Sequence, residues 1–133
     1  MKSFKYYLEL LWEIKSIIES MNSTLSLIIV EGKNDERALR EFGLRIATYR
    51  FRESGLSEAI FVDEISRVFR GKKVAILLDF DERGQRMAEN LSRELEERGV
   101  KIEHYFRKIL RELLIKEGIR HIEEIESIRK KAQ

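Results

Sequence analysis

Apolar side chains recur at steps of three and four along Lys2 to Met21, at Phe4, Leu8, Leu11, Ile14, Ile18 and Met21, and this spacing predicts an amphipathic helix. Leu10, Trp12 and Ile17 widen the stripe enough for it to meet a sheet face plus a neighbour, or a second copy of the chain. The polar cluster Asn22-Ser23-Thr24 then gives way to an unbroken apolar run, Leu25 to Val30, read as a first strand. A helix over Glu36 to Phe42 follows, with Asn34 or Asp35 as its cap and Gly43 as its stop. Arg45 to Phe51 alternates as a second strand, and beyond Ser54-Gly55 the stretch Leu56 to Phe69 predicts a helix with Ile60, Phe61, Ile65 and Val68 inward. Val74 to Leu78 is a third strand, continuously apolar as suits a strand covered on both faces. Met87 to Leu95 reads as helix, Val100 to Tyr105 as a short fourth strand, and Phe106 to Gln133 as a helical tail in two segments separated by Gly118.

Strand and helix thus alternate four times, and right-handed crossovers would gather the strands into one parallel sheet between two helical layers. The expectation is a three-layer α/β/α fold. A length of 133 residues suits a single domain, taken as 1–133. Hydrophobic residues at 43% suffice for a core, while 38% charged residues against about 25% in average soluble proteins demands a densely charged surface. Absent cysteine excludes disulfides, thiolate metal sites and a cysteine nucleophile. No apolar run reaches the roughly 20 residues of a membrane span and no signal-peptide pattern opens the chain, so the expected location is cytoplasmic, with no membrane partner.

A net charge of +2 does not by itself announce a nucleic-acid binder. Local composition adds one candidate: Arg45, Arg50 and Arg52 interleave with Tyr49 and Phe51, a mixture suited to phosphate contact and base stacking, or else an edge strand with solvated arginines. The acids are more telling. The first strand ends in Glu31-Gly32-Lys33-Asn34-Asp35 and the third in Asp79-Phe80-Asp81-Glu82-Arg83-Gly84. Ligands of open parallel sheets collect beyond the carboxyl ends of strands, where strand order reverses. In an order 2-1-3-4, Glu31 would face Asp79 and Asp81 across one strand spacing of about 5 Å. Three carboxylates in so small a volume repel one another unless a hard divalent cation joins them. Magnesium fits, because it takes oxygen ligands and keeps waters or phosphates at its other positions; Mn2+ is a possible substitute. Each acid alone has a plainer role, Asp81 as a helix cap and Asp35 as a helix-start residue outside the metal site.

The glutamate followed, a strand-helix-strand-helix unit later, by the paired aspartates and Gly84 resembles the Toprim domain shared by topoisomerases, primases and the ribonuclease that matures 5S ribosomal RNA. It is most similar to the small stand-alone Toprim proteins near that nuclease. The resemblance spans approximately residues 26–105 and leaves the N-terminal helix 2–21 and the extension 106–133 outside. It implies a Rossmann-like fold, Glu31 as general acid or base in phosphodiester chemistry, Asp79 and Asp81 as magnesium ligands, and Glu31 as a further contact to the metal. Gly32, Asp35 and Gly84 complete the motif. Lys33, Arg37 and Arg83 stand beside the acids and are assigned to RNA or DNA phosphate.

The function expected is magnesium-dependent and nuclease-like. A topoisomerase would need a further tyrosine-bearing domain, and no tyrosine here has a nucleophile's context. One alternative is a non-catalytic binding module within an assembly, with Arg107, Lys108, Arg111, Lys116 and Arg120 as a basic flank. Another is a phosphatase of the haloacid dehalogenase type, which Leu77-Leu78-Asp79-Phe80-Asp81 resembles, but that fold wants a later acidic pair at another strand end. His104 and His121 lack metal-ligand spacing and receive no role. A homodimer through the first helix is a further expectation.

Overall fold

The structure is a computed structural model that describes residues 2–133. Its elements are α1 (Phe4–Thr24), β1 (Leu27–Val30), α2 (Lys33–Glu41), β2 (Thr48–Arg50), a 3-10 turn (Arg52–Ser54), α3 (Glu58–Phe69), β3 (Lys73–Leu77), α4 (Glu82–Glu97), β4 (Lys101–Ile102), α5 (His104–Ile115), a second 3-10 turn (Ile122–Ile125) and α6 (Glu126–Lys131). The four strands form one parallel sheet in the order β2-β1-β3-β4.

The strands are apolar on both faces because both faces are covered. Ile28, Val30, Ala75 and Leu77 point into one core with α1, α2, α5 and the C-terminal segments; Leu27, Ile29, Val74, Ile76 and Leu78 point into the other with α3 and α4. This is the expected three-layer α/β/α arrangement. Its winding reverses in the middle: α2 returns over one face to place β2 beside β1, whereas α3 and α4 cross the opposite face to place β3 and β4 on the other side. The reversal falls between β1 and β3, and their register sets Val30 opposite Leu77. Glu31 and Asp79 therefore leave the sheet as neighbours at the switch point.

Local chemistry explains the element ends. Ser3 Oγ accepts from the Tyr6 amide at 3.2 Å and caps α1. The apolar stripe of α1 is spent within the chain: Ile14, Ile18 and Met21 are fully buried, each contributing about 1.5–3 kcal/mol by leaving water, while Trp12 stays 63% exposed. Helix α2 begins at Lys33, three residues earlier than the expected Glu36, because Gly32 is the N-cap and Asp35, inside the first turn, reaches back to its amide. Helix α4 begins at Glu82, well before Met87, since Asp81 caps it. The second strand shrinks to three residues and the fourth to two, where α5 starts at His104. On α3 the buried side chains are Phe61, Val62 and Ile65; Ile60 and Val68, expected inward, face out. Gly118, at φ +74, ends the α5 region and lets the chain turn into the segment that carries His121.

Candidate metal centre

Beyond the carboxyl ends of β1 and β3 lies a polar cleft of about 250 Å³, whose walls include Glu31, Asp35, Asp79 and Asp81. The two acidic strand ends thus meet, as the register requires. Glu31 and Asp35 are both buried, at 6% and 5% exposure. Burial, and then the Asp79 charge, push the Glu31 carboxyl above its usual range, opposed by Arg83, Arg52 and the Asp79 amide. Burial likewise lifts Asp35 to about 6; the Gly32 and Glu123 amides oppose the rise, while the Asp79 and Glu123 charges add to it.

Each aspartate at the end of β3 has a definite support. Asp81 Oδ1 accepts from the Gly84 amide at 2.7 Å, so the capping role and the site position coexist. Asp79 Oδ1 accepts from the Ile122 amide at 3.2 Å and its Oδ2 lies 3.0 Å from His121 Nδ1. Behind them, Arg107 donates to the carbonyls of Asp79 (2.6 Å) and Leu78 (3.3 Å), and to the side chain of Gln85, with its guanidinium over the Phe80 ring. Gly84 is buried, and the position has no room for a side chain, since a Cβ there would come within 2.2 Å of the Asp79 carbonyl oxygen. Gly32 has an ordinary extended backbone at φ −156, so the turn does not need a glycine; the absent Cβ instead leaves room for Arg52, whose Nη2 sits 3.0 Å from that position.

The basic residues divide differently from the expectation. Arg83 lines the cleft, 4.0 Å from Glu31, and Arg52 joins it. Lys33 and Arg37 are exposed and are not among the cleft's walls. Arg45 pairs with Glu19 at 2.7 Å, Arg50 and Arg52 are exposed on the edge strand side, and half-buried Tyr49 and Phe51 pack edge-on against the buried Phe61, which fits the edge-strand reading rather than a stacking platform. Arg107 is a half-buried brace for β3 and does not belong to a solvated basic flank.

His121 is the functional candidate that sequence spacing missed. Oxygen and nitrogen atoms of Asp79, Asp81 and His121 all lie within 4.8 Å of one another, a group suited to a metal ion. The hydrogen bond to Asp79 raises the imidazole's affinity for a proton, against a smaller opposing effect of burial. Forty-two residues separate the two, and no local motif links them. Glu123, which also lines the cleft, comes from the same C-terminal segment. The strand β4 ends on Ile102-Glu103, without the acidic pair that the phosphatase alternative requires.

A parallel α/β sheet that presents a glutamate and two aspartates from adjacent strand ends at its switch point defines a class of metal-type sites for phosphate chemistry. Residues 26–113 match the Toprim domain, and the chain belongs to that family. The match runs past the expected boundary at 105 into α5. Among curated relatives, the chain is 32% identical to a UPF0292 protein of Pyrococcus horikoshii over 92% of this chain and 88% of that one. It is 34% identical to a UPF0292 protein of Methanocaldococcus jannaschii over the same shares. A solved structure described as a putative protein from Aquifex aeolicus superposes with a TM-score of 0.61 at 32% identity, covering 88% of this chain and 95% of that chain. Family membership points to a metal-dependent function related to nucleic acid. No helix among the described residues is long and apolar enough to cross a membrane.

Proposed function

We propose that this chain carries out magnesium-dependent phosphodiester chemistry on RNA or DNA, nuclease-like in kind, with Mn2+ able to replace Mg2+. The observation that carries this reading is the convergence of buried Glu31 with Asp79 and Asp81 in one cleft that also holds Arg52 and Arg83. The donor set fits a divalent ion: carboxylate oxygens cluster there with too few cations to neutralise them. Asp79 and Asp81 would hold the ion, with Glu31 at its margin. When bound, such an ion offsets phosphate charge and lowers the pKa of a coordinated water.

The protein's own residues would do the rest. Glu31, its proton held more tightly than usual by burial, serves as the general acid or base. Arg83 and Arg52 orient the phosphate, and Arg107 holds the end of β3 so that Asp79 and Asp81 keep their spacing. Lys33 and Arg37, exposed beside the first turn of α2, extend the phosphate-contacting surface outward from the cleft. The exposed Trp12 on α1 offers a contact for a second copy or another protein, and a cytoplasmic setting goes with this function.

The test pairs calorimetric magnesium titration with cleavage of structured RNA and DNA, using wild type, Asp79→Asn/Asp81→Asn and Glu31→Gln. Expected are lost metal binding in the double variant, and lost cleavage with retained metal binding in Glu31→Gln. Equal metal binding by wild type and the double variant sinks the site assignment. Metal binding with no cleavage of any substrate on the panel converts the reading into that of a binding module.

A further inference from the structure

The C-terminal segment lines the metal-type cleft with His121 and Glu123, and its contacts are too specific for a passing tail. The Phe80 amide donates to the Arg120 carbonyl at 2.6 Å, the Ile122 amide donates to Asp79 Oδ1, and His121 Nδ1 stands 3.0 Å from Asp79 Oδ2. Ile119 and Ile122 are buried on either side of the histidine, as is Ile125 one turn later, so the backbone that presents the imidazole is anchored in the core. All of these residues lie beyond 113, where the Toprim match ends. His121 thus enters the cleft from outside the matched domain.

The spacing itself is informative. Ligand arms of about 2.1 Å around an octahedral ion place neighbouring donor atoms about 3.0 Å apart and opposite ones about 4.2 Å apart. The His121–Asp79 separation of 3.0 Å matches the shorter distance, and the three-residue group lies within 4.8 Å overall, so a small contraction would bring it around one ion. Buried Glu31, whose nearest cationic partner among the described residues is Arg83 at 4.0 Å, shares the same cleft and supplies a second reason for a cation there. Imidazole nitrogen is a poor partner for magnesium and a good one for first-row transition ions.

We infer that His121 is a nitrogen ligand of the divalent ion held by Asp79 and Asp81, which turns an all-oxygen site into one that favours Mn2+ and similar ions over Mg2+. This inference rests on the proposed metal site and adds to it both a ligand and a metal preference. His121 Nδ1 and Asp79 Oδ2, 3.0 Å apart, would each offer such an ion a lone pair.

Pulsed electron paramagnetic resonance of the Mn2+-loaded full chain reads the contact directly, through nitrogen modulation of the manganese echo. His104 is the other histidine of the sequence and contacts Glu96 at 3.1 Å, so His104→Gln is the control. Expected are imidazole modulation in wild type and His104→Gln, its loss in His121→Gln, and at least a tenfold loss of Mn2+ affinity in that variant with a smaller loss for Mg2+. Manganese that binds in an Asp79-dependent way without imidazole modulation in wild type overturns the inference and leaves the carboxylate site standing. Manganese binding that survives Asp79→Asn/Asp81→Asn overturns both. The wild-type spectrum decides the matter even if His121→Gln fails to fold.

Discussion

Replacing Asp35 by asparagine should stabilise this protein at neutral pH. Asp35 is buried at 5% exposure and its carboxyl is lifted from 3.8 to about 6, chiefly by that burial. A folded-state pKa above the unfolded one means that the folded chain holds this proton more tightly. The group's favourable contribution is then complete below the unfolded value of 3.8 and is lost as pH rises through about 6. At about 1.4 kcal/mol per unit, a native chain at pH 7.5 carries a penalty of about 3 kcal/mol from the charged group. Asparagine removes that charge, and its side-chain oxygen still accepts from the Gly32 amide that Asp35 binds at 3.0 Å. The rise to about 6 already includes the Gly32 amide's hold on the charged form, so the net gain expected at pH 7.5 is about 3 kcal/mol. Urea unfolding with a chelator present, followed by far-UV circular dichroism at pH 7.5 and 4.5, measures it; Trp12 is too exposed to report reliably on the core. Asp35→Asn should be the more stable protein at pH 7.5, with the difference narrowing to about 1 kcal/mol at pH 4.5, where the folded carboxyl is mostly protonated. An equal destabilisation at both values refutes the reasoning, because it would mean that the cap outweighs the buried charge.

Two further substitutions probe the scaffold beneath the acids. Gly84→Ala puts a methyl 2.2 Å from the Asp79 carbonyl oxygen and 2.9 Å from its carbon, where no rotamer relieves the clash, so a loss of about 1–3 kcal/mol should accompany weakened metal binding in urea melts and metal titrations. Arg107→Met keeps most of the bulk but removes the donors to Leu78 and Asp79, and should cost about 2–3 kcal/mol in the same melts, against less than about 0.5 kcal/mol for the exposed neighbour in Lys108→Met.

The fold was legible because its signals were periodic or local. Strands with both faces buried read as unbroken apolar runs, and the acids at their ends needed just the strand order to become neighbours. What escaped notice depended on contacts distant in sequence. Tyr49 and Phe51 admit either a stacking platform or an edge strand beside solvated arginines, and only the packing of both half-buried rings on Phe61 of α3 decides for the edge strand. Helix α2 began early because a side chain inside its first turn caps it from below, which a search for a preceding cap residue overlooks. His121 carried no signal, since its partner lies across the whole α4–α5 excursion and is reached when Ile119 and Ile122 seat in the far core.

The charge inventory of the cleft also orders the events that the proposed function requires. Its walls carry five carboxylates, those of Glu31, Asp35, Asp79, Asp81 and Glu123, and two guanidiniums, those of Arg52 and Arg83. A phosphodiester approaching this cleft before any metal ion would meet a net negative field in a region where water screens poorly, and would be repelled. A divalent ion held by the aspartates would offset most of that negative charge and leave Arg83 and Arg52 freer to take the phosphate oxygens, because Glu31 would then face the ion's charge as well as Arg83. On the proposed function, metal bound first would favour substrate binding. Nucleic-acid affinity measured with chelator present should be weak and should rise when the ion is added, whereas unchanged affinity would mean that the nucleic acid binds elsewhere on the surface.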